Sequence, residues 1–120
     1  MVYVVAIVVV AVAAFFGVLT GMAATFHRRN PPPKWLAAIH GVLAAVGIII
    51  LAVAVIRNGD QGMGLNALLV VLLTALGGLA LLSFHGRGRR LPVSLLVLHG
   101  LFAIGGFGLM IVAAAVTLYG

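Results

Sequence analysis

Cysteine is absent from these 120 residues, and Asp60 is the only acidic side chain. Without cysteine there is no disulfide, no cysteine-ligated zinc, no iron–sulfur cluster and no thiol nucleophile. With a single carboxylate there is no paired-carboxylate acid/base chemistry and no carboxylate-rich site for calcium or magnesium. Charge is scarce altogether, at 7% of the chain against 65% hydrophobic residues. The mean hydropathy is +1.37, and a soluble domain of this size would have too few polar groups to cover its surface. The chain therefore reads as an integral membrane protein, and most enzyme classes are excluded together with the groups they need.

Four apolar runs are present, over about residues 2–26, 35–56, 65–84 and 93–119. Each is long enough, at ~1.5 Å per residue, to cross a ~30 Å hydrocarbon core as a helix. No basic residue precedes the first run and no cleavage pattern follows it, so it is expected to be a span and not a removed signal. The connections are short: HRRNPPPKW, RNGDQGMG and HGRGRRLP. Prolines and Asn-Gly or Gly-rich turns end the helices, and Trp35 stands where an interfacial aromatic anchor belongs. The expected fold is all-α, a single transmembrane domain over residues 1–120 with four helices and no soluble domain.

Six of the seven basic residues fall in the first and third connections: Arg28, Arg29, Lys34, Arg87, Arg89 and Arg90. The positive-inside rule assigns those connections to the cytoplasm and both termini to the outside. Such a chain is expected in a bacterial inner membrane. The formal charge of +6 belongs to one face, where it sets topology and attracts anionic lipid, and it does not point to nucleic acid.

The chain also repeats itself. Pro33, Leu36, His40, Gly41, Ala44 and Gly47 recur 59 positions later as Pro92, Leu95, His99, Gly100, Ala103 and Gly106. Phe26-His27 recurs as Phe84-His85 at a shift of 58. Repeats over residues 1–60 and 61–120, each with two spans, have the same orientation, so a pseudo-twofold axis along the membrane normal is expected to relate them. In a compact bundle with short connections the second and fourth helices then lie across a diagonal. This makes His40 and His99 one pair of counterparts, and His27 and His85 another.

His40 and His99 lie within their spans, where an unsatisfied polar group costs several kcal/mol and must find a partner inside the bundle. His27 and His85 end their helices, where headgroups and water can satisfy them. One helical face carries His40, Ala44 and Gly47, and its repeat carries His99, Ala103 and Gly106. Gly17, Thr20 and Gly21 on the first helix and Gly77 and Gly78 on the third add further small residues. Small residues at this spacing admit close helix packing; they would also leave room for a flat cofactor whose iron the histidines hold. His40 and His99 are thus candidate ligands of haem b, with a hydrogen-bonded structural pair, another metal or a proton relay as alternatives. His27 and His85 are the second choice of ligand pair. Arg28, Arg29, Arg87, Arg89 and Arg90 are candidates to pair with haem propionates.

Repeated transmembrane histidines with adjacent glycines resemble the small four-helix b-type membrane cytochromes, and also bacterial four-span membrane proteins with tandem His-Gly helices. The resemblance implies a haem b-binding electron carrier. In cytochromes that pass electrons across the bilayer a histidine pair lies near each face; here all four histidines lie on one side. The implied function is therefore one haem near the cytoplasmic face, exchanging electrons with quinone or a partner subunit. The competing expectation is a non-catalytic accessory subunit of a larger membrane complex, or a homo-oligomer, without cofactor. A solute transporter is less favoured because the polar groups lie to one side and no span is broken by proline, and an isolated enzyme less still, for want of a nucleophile with its base.

Overall fold

The computed structural model describes residues 1–26 and 31–120. Their secondary structure is four helices: α1 Val2–Thr25, α2 Lys34–Asn58, α3 Met63–Gly86 and α4 Val93–Tyr119. All four are long and apolar enough to cross a membrane. They follow the expected runs closely, with α2 and α3 extending slightly past them.

The helix ends have local causes. Pro33 and Pro92 precede α2 and α4 in extended conformations, as a residue without an N–H can do at a helix start. α2 stops at Gly59, whose φ of 60° only glycine adopts freely. Gly59 N–H donates to Ile56 O and Asp60 N–H to Val55 O, the paired bonds that close a left-handed C-terminus. Gly88, φ 64°, closes α3 in the same way, with Gly88 N–H on His85 O and Arg89 N–H on Phe84 O. Several polar side chains within the helices are satisfied by their own backbone. Thr20, Thr25, Thr74 and Thr117 each donate to the carbonyl one turn back, and Asn58 donates to Ala54 O.

α1 packs most extensively on α2, and α3 on α4, while α2–α3 and α1–α4 meet along narrower seams. The pairs α1–α3 and α2–α4 are diagonal, as expected for consecutive antiparallel helices. The bundle measures 46 × 21 × 21 Å.

Its main core lies toward the end away from the basic connections and is built of small residues. Ala6, Ala54, Ala67 and Ala113 are fully buried together with Leu51 and Met110. A smaller cluster of Ala24, Leu81 and Leu91 closes the other end. The outside is covered with large apolar side chains, among them Phe15, Ile49, Leu76, Leu79 and Ile104, a surface suited to lipid and not to water.

One polar tie joins α1 to the connection that leads into α3. Tyr3 Oη donates to Asp60 Oδ2 at 2.9 Å, and the same oxygen accepts Gly64 N–H at 2.9 Å. Gly62 N–H donates to Asp60 Oδ1 at 3.0 Å. The single carboxylate of the chain is thus the cap of α3, where amide donors and the helix dipole favour negative charge.

Candidate functional site

Between the two core clusters, at the level of Ala13 and Thr74, the polar groups that reach from helix to helix are imidazoles. His40 and His99 stand six residues inside α2 and α4, roughly 9 Å along each axis at ~1.5 Å per residue. Both are half-buried. Their ring centroids are 6.2 Å apart with ring planes at 89°. α2 and α4, diagonal in the bundle, approach one another through these two rings.

Each ring is tethered within its own hairpin. His40 Nδ1 bonds Ala13 O of α1 at 2.8 Å, and His99 Nδ1 bonds Thr74 O of α3 at 2.9 Å. A carbonyl oxygen can only accept, so Nδ1 carries the proton in both rings. The neutral imidazole then holds its lone pair on Nε2. Among the described residues no group bonds either Nε2, and Asp60, the one carboxylate, caps α3 at the far end.

The glycines of the sequence pattern have specific neighbours. A Cβ on Gly17 would lie 2.8 Å from His40 Cε1 and 2.9 Å from His40 Nδ1. On Gly78 it would lie 3.2 Å from His99 Cε1, and on Gly77 3.5 Å from His99 Nδ1. These glycines make room for the imidazoles themselves. Gly47 and Gly106, expected to line a cofactor, receive valines: a Cβ would be 2.5 Å from Val10 Cγ2 and 2.8 Å from Val71 Cγ2, respectively. They lie seven residues from the histidines, roughly 10 Å further along the axis, and form a packed floor below the ring level. Ala44 and Ala103, between floor and rings, are half-buried.

These contacts fix a register that the sequence repeat only half conveys. α2 maps onto α4 at the expected shift of 59, as in His40 to His99 and Gly47 to Gly106. The contacts of α1 recur in α3 at a shift of 61: Val10 to Val71, Ala13 to Thr74, Gly17 to Gly78. At that shift the counterpart of His85 is Ala24, and each is 5% exposed. The expectation that His85 faces headgroups and water is therefore corrected: it is buried, and its Nε2 has no hydrogen-bond partner among the described residues. His27, Arg28 and Arg29 lie outside the described residues. Arg87, Arg89 and Arg90 are exposed in the connection before α4.

Sequence reasoning reached His40 and His99 but not their carbonyl partners or the valines seated on Gly47 and Gly106. Among the described residues no three His, Cys, Asp or Glu side chains gather as a metal site. Comparison of the chain with protein families, with curated proteins and with solved structures finds no match.

Proposed function

We propose that this chain is an integral membrane protein whose two hairpins, related by a twofold axis along the membrane normal, hold one haem b between His40 and His99 and carry electrons near the face of the basic connections. The observation that carries this reading is the separation of two rings whose Nδ1 atoms are both committed to carbonyls. An imidazole nitrogen lies ~1.1 Å from its ring centroid and a metal–imidazole bond is about 2.0–2.1 Å, so two imidazoles that held one metal atom between facing nitrogens would have centroids roughly 6.2–6.4 Å apart. The observed value is 6.2 Å. A direct N–H···N bond of about 3.0 Å would bring the centroids to roughly 5.2 Å.

The donor set suits haem in particular, because the porphyrin supplies four nitrogens and asks only two of the protein. Hydrogen bonds from Nδ1 to Ala13 O and Thr74 O fix the rings and raise their basicity as ligands. Arg87, Arg89 and Arg90, with Arg28 and Arg29, are the cations that would meet propionates on the basic side. The haem supplies one-electron transfer when bound; the protein's part is to hold the iron in an apolar bundle close to one face. Quinone or a second subunit is the exchange partner in this reading, and anionic lipid covers the basic face.

An absorption spectrum of protein purified from a haem-replete host tests the proposal. A Soret band with sharp reduced alpha bands is expected, lost or converted to high spin in His40→Ala and His99→Ala and unmoved in His85→Ala. Well-folded wild-type protein without a Soret band would leave the second reading, an accessory membrane subunit. That reading is favoured by one observation: Gly17, Gly78, Gly47 and Gly106 are all accounted for by protein side chains packed against them.

A further inference from the structure

A pair of imidazoles whose Nδ1 atoms meet carbonyls, and whose Nε2 atoms bond no group among the described residues, has a use that needs no porphyrin. Ions that take three or four protein ligands find no third His, Cys, Asp or Glu beside them among the described residues. Two nitrogen donors remain, and ions content with two collinear donors are the monovalent d10 cations. We propose that His40 and His99 bind one such cation, copper(I) or silver(I), in two-coordinate geometry. The ring separation of 6.2 Å leaves room for two bonds of about 2 Å from facing Nε2 atoms to one metal atom. Imidazole is an accepted ligand for copper, and the carbonyls on Nδ1 strengthen both donors.

Charge selects the monovalent ion. The only carboxylate, Asp60, lies at the far end of the bundle with its oxygens occupied by Tyr3, Gly62 and Gly64, so the charge of a bound ion is not neutralised nearby. The self-energy of an ion in an apolar medium rises with the square of its charge, which makes a divalent ion about four times as costly as a monovalent one. Space points the same way. Gly17 and Gly78 are already filled by the rings, and Val10 and Val71 fill Gly47 and Gly106, so a single atom enters without parting the helices. The inference shares its ligands with the haem reading but does not rest on it, and the two occupants exclude one another.

The test uses the full chain, produced without haem and titrated anaerobically in detergent. Silver(I) serves as the redox-silent probe, and copper(I) is measured by competition with a chromogenic chelator. One ion per chain is expected, with affinity falling at least 100-fold in His40→Ala and in His99→Ala and unchanged in His85→Ala. Because the alanine variants also lose the bonds to Ala13 and Thr74, nitrogen-15 spectra of the wild type provide an independent reading. The Nε2 signals of both histidines should shift on adding silver(I), while their Nδ1–H signals persist. X-ray absorption at the copper edge should show two nitrogen neighbours. Stoichiometry no different from that of the double alanine variant, three or more ligands at copper, or Nε2 signals indifferent to silver(I), as a bridging water alone would leave them, would each overturn the proposal. Silver(I) binding in a protein that never takes haem would defeat only the haem reading; a haem protein whose haem-free form ignores both ions would defeat only this inference.

Discussion

One methyl group at Gly17 should distinguish a glycine that makes room for an imidazole from one that merely lets helices approach. In Gly17→Ala the new Cβ would sit 2.8 Å from His40 Cε1 and 2.9 Å from Nδ1, where ordinary contact begins at 3.4 Å. The ring must retreat by roughly half an ångström. Ala13 O, the acceptor that holds it at 2.8 Å, is one helical turn before Gly17, so retreat from the methyl is also retreat from the carbonyl. Loss of a buried hydrogen bond costs about 1–3 kcal/mol, and overpacking costs about 1–3 kcal/mol more. Replacing a helical glycine by alanine returns about 1 kcal/mol. The net destabilisation is about 3 kcal/mol. Gly21, one turn further on, has nothing within 4 Å of a Cβ, so Gly21→Ala should be neutral or stabilise by up to about 1 kcal/mol. Gly78→Ala, at 3.2 Å from His99 Cε1, should fall between the two. Helix content followed through denaturing-detergent titration measures all three. A Gly17→Ala protein as stable as Gly21→Ala would refute the clamp.

Three further outcomes are expected. Asp60→Asn puts an amide donor among the three donors that now meet the carboxylate and should cost about 1–3 kcal/mol; Tyr3→Phe should cost about 1 kcal/mol, and a double-mutant cycle should show the two coupled. Gly47→Ala, whose Cβ would lie 2.5 Å from Val10 Cγ2, should destabilise by about 1–3 kcal/mol and be rescued by Val10→Ala, whereas an unrescued loss would mean that Val10 is not the group in the way. Single cysteines introduced as Pro31→Cys and Gly120→Cys should react with an impermeant thiol reagent from the cytoplasmic and the outer side, respectively, and the opposite labelling would invert the proposed orientation.

The helices and the histidine pair were legible because each leaves a coarse mark in the chain. Apolar runs of this length have few alternatives to a helix, and His40 and His99 stand in matching surroundings. The pairing of the other two helices was not legible. The first and third spans consist largely of Val, Ala and Leu, with little to mark their rotation, and the conspicuous Phe-His match, at a shift of 58, suggests a register that their contacts do not follow. Contacts set the shift instead, through Val10 on Gly47 and Val71 on Gly106, and His85 takes the buried place that Ala24 holds in the other half. The partners of the histidines were equally hidden. A backbone carbonyl as acceptor leaves no trace in residue type: Ala13 and Thr74 share no side-chain chemistry that the bond uses.

The two properties that matter for the imidazole pair are therefore governed by different parts of the fold. Which nitrogen carries the proton is decided inside each hairpin, by Ala13 O for His40 and Thr74 O for His99, along the seams where packing is most extensive. How far apart the rings stand is decided between hairpins, where the seams are narrower and the largest fully buried side chains are Leu51 and Met110, three turns below the rings. Rocking of one hairpin on the other would change the 6.2 Å separation while leaving both tautomers intact. Ligand nitrogens so tethered keep their lone pairs available at any spacing. Either proposed occupant, a single ion or the iron of a haem, would ask for the same ring separation, so the seam between hairpins and not the tethers within them would set its affinity.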